Sequence, residues 1–296
     1  MDINSYVSLR EKLLYTLSRK RTQKTARFLY FTSLMRIVVF FFFICFQSIA
    51  LAQSFTITKL NEVPLQSDSF IGADNFQNLY YTSKSTLYKK SNNTVLEYAA
   101  LNLGEITSVD VINPLKLTVF YKDSNTVVIL DNTLAEIRRI NFSAIENFRN
   151  ISQATNAGDR RLWIFNTDIQ RLELFDYNQN KVITEFPPTS LPALELTSNF
   201  NVCWVKTKNT IDSYTVYGSL INSLPIEAEI QAITIYNEYV FALSDEKLVY
   251  KEKDIVELSN LEIPEIKVKQ FSIKDEILYI YDGQVLTSYR LNLSKE

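Results

Sequence analysis

The chain has 296 residues with 31 Lys and Arg, 33 Asp and Glu and no histidine, a formal net charge of −2. An apolar fraction of 46% and a charged fraction of 22% are globular values that exclude wholesale disorder, and five glycines and seven prolines exclude collagen-like and low-complexity chains. The missing histidine excludes Ser-His-Asp and Cys-His catalysis, His-ligated zinc or haem, and an imidazole pH switch.

Residues 1–34 are basic and acid-poor, with only Asp2 and Glu11 against the arginines and lysines, and Leu9, Leu13, Leu14 and Leu17 at helical spacing. They read as an upstream extension if translation starts at Met35, or as a transit-like amphipathic segment if it starts at Met1. From Met35 the order is a positive charge (Arg36), an apolar run (Ile37 to Phe46) and a small-residue box (Ala50-Leu51-Ala52). That is the layout of a signal peptide over 35–52, with cleavage expected after Ala52. The alternative, a retained anchor, falls short because Gln47 and Ser48 interrupt the run before the roughly 20 apolar residues a bilayer requires.

Cys45 lies inside this segment, so the exported chain keeps Cys203 alone and forms no internal disulfide. Export without disulfides points to a Gram-negative envelope, in the periplasm or associated with the outer membrane. The enrichment in Asn, Ile, Lys, Tyr and Phe is of the kind low-GC Bacteroidota genomes produce. Residues 1–53 carry eight of the basic and two of the acidic residues, so the remainder keeps 23 and 31 and a net charge of −8. This acidity argues against nucleic acid as a partner and against strong membrane association after cleavage.

Beyond residue 53 the pattern changes to short alternating runs rich in Val, Ile, Leu, Tyr and Phe, the mark of half-buried strands. One strand type recurs as NLYY (78–81), KLTVFY (116–121), RLWIF (161–165), NVCWV (201–205), EYVFAL (238–243) and EILYIY (276–281). Equivalent positions Leu79, Leu117, Leu162, Val202, Tyr239 and Ile277 step by 38, 45, 40, 37 and 38 residues. A second strand follows each, as in TLYKKS (86–91), RLELFDY (171–177), SYTVYG (213–218) and VLTSYRL (285–291). A third begins at Val95, Glu136, Val182, Leu220 and Ile255, and a fourth precedes each leading strand, as in ITSVDV (106–111), LELTSN (194–199) and QAITIY (231–236). Four strands per unit of about 40 residues is the arithmetic of a propeller blade. The sixth unit lacks an outer strand, while FTITKL (55–60) stands spare before the first, so the N-terminal strand is expected to complete the last blade and leave no open edge.

Over roughly residues 54–296 the chain resembles the six-bladed β-propellers, above all the NHL- and YWTD-like ligand-sensing group of exported proteins, in units such as RLWIFNTDIQRLELFDYNQNKVITEF (161–186). The resemblance implies an all-β fold of six four-stranded blades. It implies no chemistry, because WD, YWTD, kelch double-glycine and repeated DxDG signatures are absent.

Asn75, Asn113, Asn156, Asn199, Asn237 and Asp275 stand before the leading strands, where turn chemistry is expected of them. Trp163 and Trp204 sit at matching strand positions and are expected to pack between blades. Cys203 is expected to be a buried hydrophobe. The arginines 138, 139, 149, 160 and 161 are read as solvated strand charge, with an anion site as the alternative. Asp110 and Glu195, on inner strands, are expected to face the central channel near Asp74. The loops 61–69, 143–150 with Arg149, 187–192, 206–210 with Lys206, and 264–267 are candidate binding loops.

Asp74, Asp110, Arg149, Glu195 and Lys206 are therefore the candidate binding-surface residues. No catalytic residue, cofactor or metal ligand is assigned, since no phosphate loop, CxxC, HExxH or GxSxG occurs. The expected role is a non-enzymatic interaction scaffold in the bacterial envelope whose partner is another envelope protein. The alternative is a carbohydrate- or small-ligand-binding propeller, or a degenerate hydrolase or lyase, using channel carboxylates.

Overall fold

The structure, a computed structural model, describes residues 54–226, 229–252, 258–264 and 266–294. The basic extension, the signal-peptide segment, Cys45 and the start of the strand expected from Ile255 lie outside the described residues. All the strands fall within the unit Ser54–Ser294.

Strand β1 (Ser54–Pro64) comes first. Blade 1 is β2 (Ser69–Ala73), β3 (Leu79–Ser83), β4 (Thr86–Lys90) and β5 (Val95–Ala99); blade 2 is β6 (Ser108–Asp110), β7 (Leu117–Tyr121), β8 (Thr126–Leu130) and β9 (Glu136–Asn141). Blade 3 is β10 (Ile151–Asn156), β11 (Arg161–Asn166), β12 (Arg171–Asp176) and β13 (Lys181–Pro188); blade 4 is β14 (Glu195–Ser198), β15 (Val202–Lys206), β16 (Thr210–Thr215) and β17 (Leu220–Pro225). Blade 5 is β18 (Ala232–Tyr236), β19 (Tyr239–Ser244), β20 (Lys247–Glu252) and β21 (Ser259–Asn260). Blade 6 is β22 (Gln270–Lys274), β23 (Ile277–Tyr281) and β24 (Val285–Ser294), with β1 as its outer strand. Among the described residues helix is limited to one 3-10 turn, Leu101–Leu103. The architecture is all-β: six blades of four antiparallel strands arranged as a propeller.

The closure inferred from the spare strand is present. Phe55 pairs with Leu293 and Pro64 with Val285, with a β-bulge between Lys59 and Asn61. Phe55 locks β1 in place by edge-on contacts with Tyr239, Phe241 and Tyr250 at ring-centroid distances of 4.8, 5.1 and 5.0 Å. The leading strands begin at Leu79, Leu117, Arg161, Val202, Tyr239 and Ile277, within one residue of their expected places.

Several boundaries differ from the sequence reading, two of them with a clear local cause. Strand β16 starts at Thr210, not at Ser213, because the polar run 206–210 is a hairpin turn: Thr207 Oγ1 accepts the amides of Asn209 (3.2 Å) and Thr210 (3.0 Å). Strand β1 runs on to Pro64, because its bulge absorbs the break in alternation at Leu60 and shortens the loop read as 61–69.

Turn chemistry replaces glycine throughout. Asn113, Asn156 and Asn199 accept amides of Leu115, Gly158 and Val202, while Asn237 and Asp275 take positive φ (53° and 48°). In blade 1 the carboxylate of Asp74 takes this role in place of Asn75. One glycine is required by space: a Cβ on Gly72 would lie 2.8 Å from Ser272 Oγ and 3.6 Å from Val111, where inner strands of blades 1 and 6 meet the end of β6.

The core lies between blades, and aromatic rings fill most seams. Trp163, fully buried, packs with Phe186 and Cys203 between blades 3 and 4; Tyr80 and Tyr121 fill the seam of blades 1 and 2, Phe142 and Phe175 that of blades 2 and 3. The seam between blades 4 and 5 differs. Its buried set is Ile211, Ile233, Val240, Ala242 and Val249, without an aromatic ring, and Trp204 is only partly buried against it.

Candidate functional site

Each inner strand runs from one face of the ring to the other, so residues at opposite ends of these strands open to opposite faces. Asp110 closes β6 and Glu195 opens β14, which puts these two carboxylates at opposite ends of the bore, separated by about 10 Å of strand rise.

Each is engaged instead with a neighbouring blade. Asp110 Oδ2 accepts the amide of Asn156 (2.7 Å) and the hydroxyl of Thr155 in blade 3, while Oδ1 accepts the amide of Ile112 (2.8 Å). Glu195 pairs with Lys206 at 2.9 Å and accepts the Ile233 amide of blade 5 on both oxygens at 3.3 Å. Gln270, at the same strand position in blade 6, accepts the Phe70 amide of blade 1 at 2.7 Å, so the sequence repeats one device: an inner-strand acceptor holding the next blade's inner strand. Desolvation pushes the carboxyls of Asp110 and Glu195 above the usual range, the latter opposed by Lys206.

Lys206 ends β15 and is buried. Its ammonium donates to the carbonyls of Ile230 (3.2 Å) and Gln231 (2.7 Å) besides meeting Glu195, which uses its three protons on the approach to blade 5. Asp74 is also buried and accepts four bonds, from the amides of Phe76 and Asn78, the Asn78 side chain and the Tyr80 hydroxyl (2.8 to 3.0 Å). Arg149 Nε meets the buried Glu173 at 2.9 Å, and its guanidinium also donates to Asn147 O (2.6 Å), fastening loop 142–150 onto β12. Burial lifts the Glu173 carboxyl and Arg149 holds it down. Of the other clustered arginines, Arg139 binds Glu136 through two nitrogens and Arg161 lies 3.7 Å from Asp159.

Thus the five candidate residues do not converge on one surface. Each ties a turn, a loop or a blade seam. Cys203 is buried and free, with its thiol pushed up chiefly by burial. Among the described residues no group of three His, Cys, Asp or Glu side chains is placed to hold a metal, and no helix is long and apolar enough to cross a membrane.

Sequence reasoning missed the hollows at the seams. Where the buried set between blades 4 and 5 is aliphatic, a cavity of about 210 Å³ opens beside Trp204 and Tyr239, walled by Ile211, Leu224, Ile235 and Val240. Glu238 is the one charged residue of that wall, and Tyr217, 87% exposed, stands on the following turn of blade 4. This cavity opens on the face of the β14–β15 and β18–β19 turns, opposite the face that carries loops 142–150 and 189–194.

No protein-family model and no curated protein matches the chain. Solved structures do. The Cps50 (Swd1) β-propeller domain of Myceliophteria thermophila is similar with a TM-score of 0.58 at 12% identity, over 79% of this chain and 99% of that one. A catalytically inactive virginiamycin B lyase from Staphylococcus aureus, solved with quinupristin, scores 0.54 at 10% identity, over 80% and 99%. The Pan2 WD40 domain of Neurospora crassa scores 0.54 at 10% identity, over 82% and 97%. At such identities the likeness is one of fold alone, and with the strand order it makes this chain a six-bladed β-propeller.

Proposed function

We propose that the chain is a non-enzymatic propeller serving as a protein-interaction scaffold in the bacterial cell envelope. One observation carries the reading: the inner-strand carboxylates that would have supplied acid-base chemistry are spent on joining blades. The similar lyase is described as catalytically inactive once one histidine is replaced by alanine, and this chain has no histidine to offer in its place. Export rests on the 35–52 signal pattern, and the acidity of the remainder turns the surface away from nucleic acid and anionic lipid.

A second reading, a carbohydrate- or small-ligand-binding propeller, is favoured by the partly buried Trp204 beside the cavity between blades 4 and 5. In-cell cross-linking of tagged protein, with mass spectrometry of the envelope fraction, separates the two. The scaffold reading expects one recurrent envelope protein cross-linked to the propeller. Absence of any protein partner, together with saturable binding to a glycan panel, would overturn it.

A further inference from the structure

The seam where the ring closes holds a cleft of about 380 Å³ between blades 6 and 1. Its floor is apolar, formed by Leu79 of β3 with Ile277 and Leu286 of blade 6. Its two charged residues are cations: Lys90, at the end of β4, and Arg290, on β24. Among the described residues neither makes an ion pair or a side-chain hydrogen bond, whereas the arginines 139, 149, 161 and 171 each pair with a carboxylate. No Asp or Glu lines the cleft, although the residues from 54 onward carry a net charge of −8. Other hollows contain acids: Glu238 between blades 4 and 5, Glu276 beside Phe55, and Asp245 with Glu246 at the blade 5 turn.

The outer strand is irregular here, as the outer strands of blades 2, 3 and 4 are too. The bulge in β1 falls between Lys59 and Asn61, and the residues it re-aims, Leu60 and Asn61, line the cleft. A bulge spends ladder hydrogen bonds on redirecting side chains, at sheet edges as well as beside active sites. Here it puts Asn61 into the lining of the cleft and leaves Leu60 45% exposed at the rim.

Resting on the scaffold reading, we infer that this cleft takes a segment of the partner protein that presents a carboxylate next to an apolar side chain. The apolar group seats on Leu79, Ile277 and Leu286, and the carboxylate lies between the ammonium of Lys90 and the guanidinium of Arg290. Arginine suits a two-point grip on a planar carboxylate. A singly charged anion is preferred to a doubly charged phosphate, because the acidic remainder of the molecule repels the second charge more strongly. Three walls come from β1, β24 and blade 1, so the cleft exists only in the closed ring.

The test uses the purified full chain and two probes, N-acetyl-Phe-Glu-amide, which carries one carboxylate, and its neutral twin N-acetyl-Phe-Gln-amide, titrated by calorimetry. Saturable binding of the acid, at least tenfold tighter than the neutral twin, is expected. Lys90→Gln and Arg290→Gln should each weaken the acid about tenfold while leaving the circular dichroism melt in place, and raising salt should weaken it too. Lys90→Arg, which keeps the charge, should retain most of the binding. Equal binding of the two probes, or no loss on either glutamine substitution, overturns the cleft. If it fails while an envelope protein still cross-links to wild type, the scaffold reading stands and only this site is lost. If plain benzoate binds as tightly as the dipeptide acid, the cleft is a small-molecule site and the partner-segment inference fails.

Discussion

Glu195 and Lys206 face each other at 2.9 Å on adjacent strands of blade 4, and both also bind the backbone of the chain entering blade 5. The pair is therefore a fastener between blades. Removing one partner strands the other beside a seam whose buried cluster is wholly aliphatic.

Lys206→Met is accordingly expected to lower stability by about 2–3 kcal/mol, below the usual figure for a buried pair because the Glu195 side chain keeps 28% exposure. For a unit of this size that is roughly 4–12 °C in thermal midpoint. Glu195→Gln added to Lys206→Met should recover part of the loss, since no orphan charge remains. Thermal denaturation of the two single variants and the double variant checks this.

The pH dependence follows from three carboxyls, Asp110, Glu173 and Glu195, all lifted chiefly by desolvation. Their folded-state pKa exceeds the unfolded one, so between the two values the native state holds more protons and stability falls as pH rises. Asp131 and Glu136 are shifted down by hydrogen bonds to Thr133 and Arg139, so their contribution is present at neutral pH and lost only as pH falls through their depressed values. The thermal midpoint should fall as pH rises through the raised values of these three carboxyls and should drop again in stronger acid. Glu195→Gln should flatten that fall. A midpoint that climbs steadily with rising pH from the ordinary carboxylate range upward would contradict the burial of these groups.

The two tryptophans report on different seams. Trp163 is fully buried, while Trp204 borders the cavity between blades 4 and 5. With Trp204→Phe, the remaining emission should be blue-shifted and resist acrylamide. With Trp163→Phe, the remaining Trp204 should be quenched several-fold more readily. Equal quenching in the two variants would mean that the cavity does not reach Trp204.

Asp275 and Glu276 turn from β22 to β23 with φ of 48° and 65°, a conformation that costs an L side chain about 1 kcal/mol or more. Glu276→Gly should raise stability by about 0.5 kcal/mol, the relief of strain exceeding the added freedom of the unfolded chain. Urea denaturation at constant slope measures it.

Blade count, strand order and closure were legible because a short apolar run recurs in each leading strand, buried on both faces in most blades, and Asn or Asp marks the turn before it. Several strand boundaries were not. Thr207 and Thr210 read as loop because their hydroxyls serve a tight turn, and the alternation in β1 is broken by the bulge at Leu60. Asp110 and Glu195 were visible as acids in apolar strands, but the Asn156 and Ile233 amides that occupy them belong to other blades. Lys90 and Arg290 are two hundred positions apart and become neighbours only when β1 closes the ring, so neither stands out in the linear pattern.

The closed ring underlies both the scaffold and its cleft, and a disulfide across the closure tests it most directly. Thr56 and Asn292 are exposed and face each other on β1 and β24, so Thr56→Cys with Asn292→Cys should form an intramolecular bridge under mild oxidation. Closing so long a loop should raise the thermal midpoint, in line with a chain-entropy gain of about 5–6 kcal/mol. Thiols that stay reduced, or that bridge only between molecules, would contradict the closed ring.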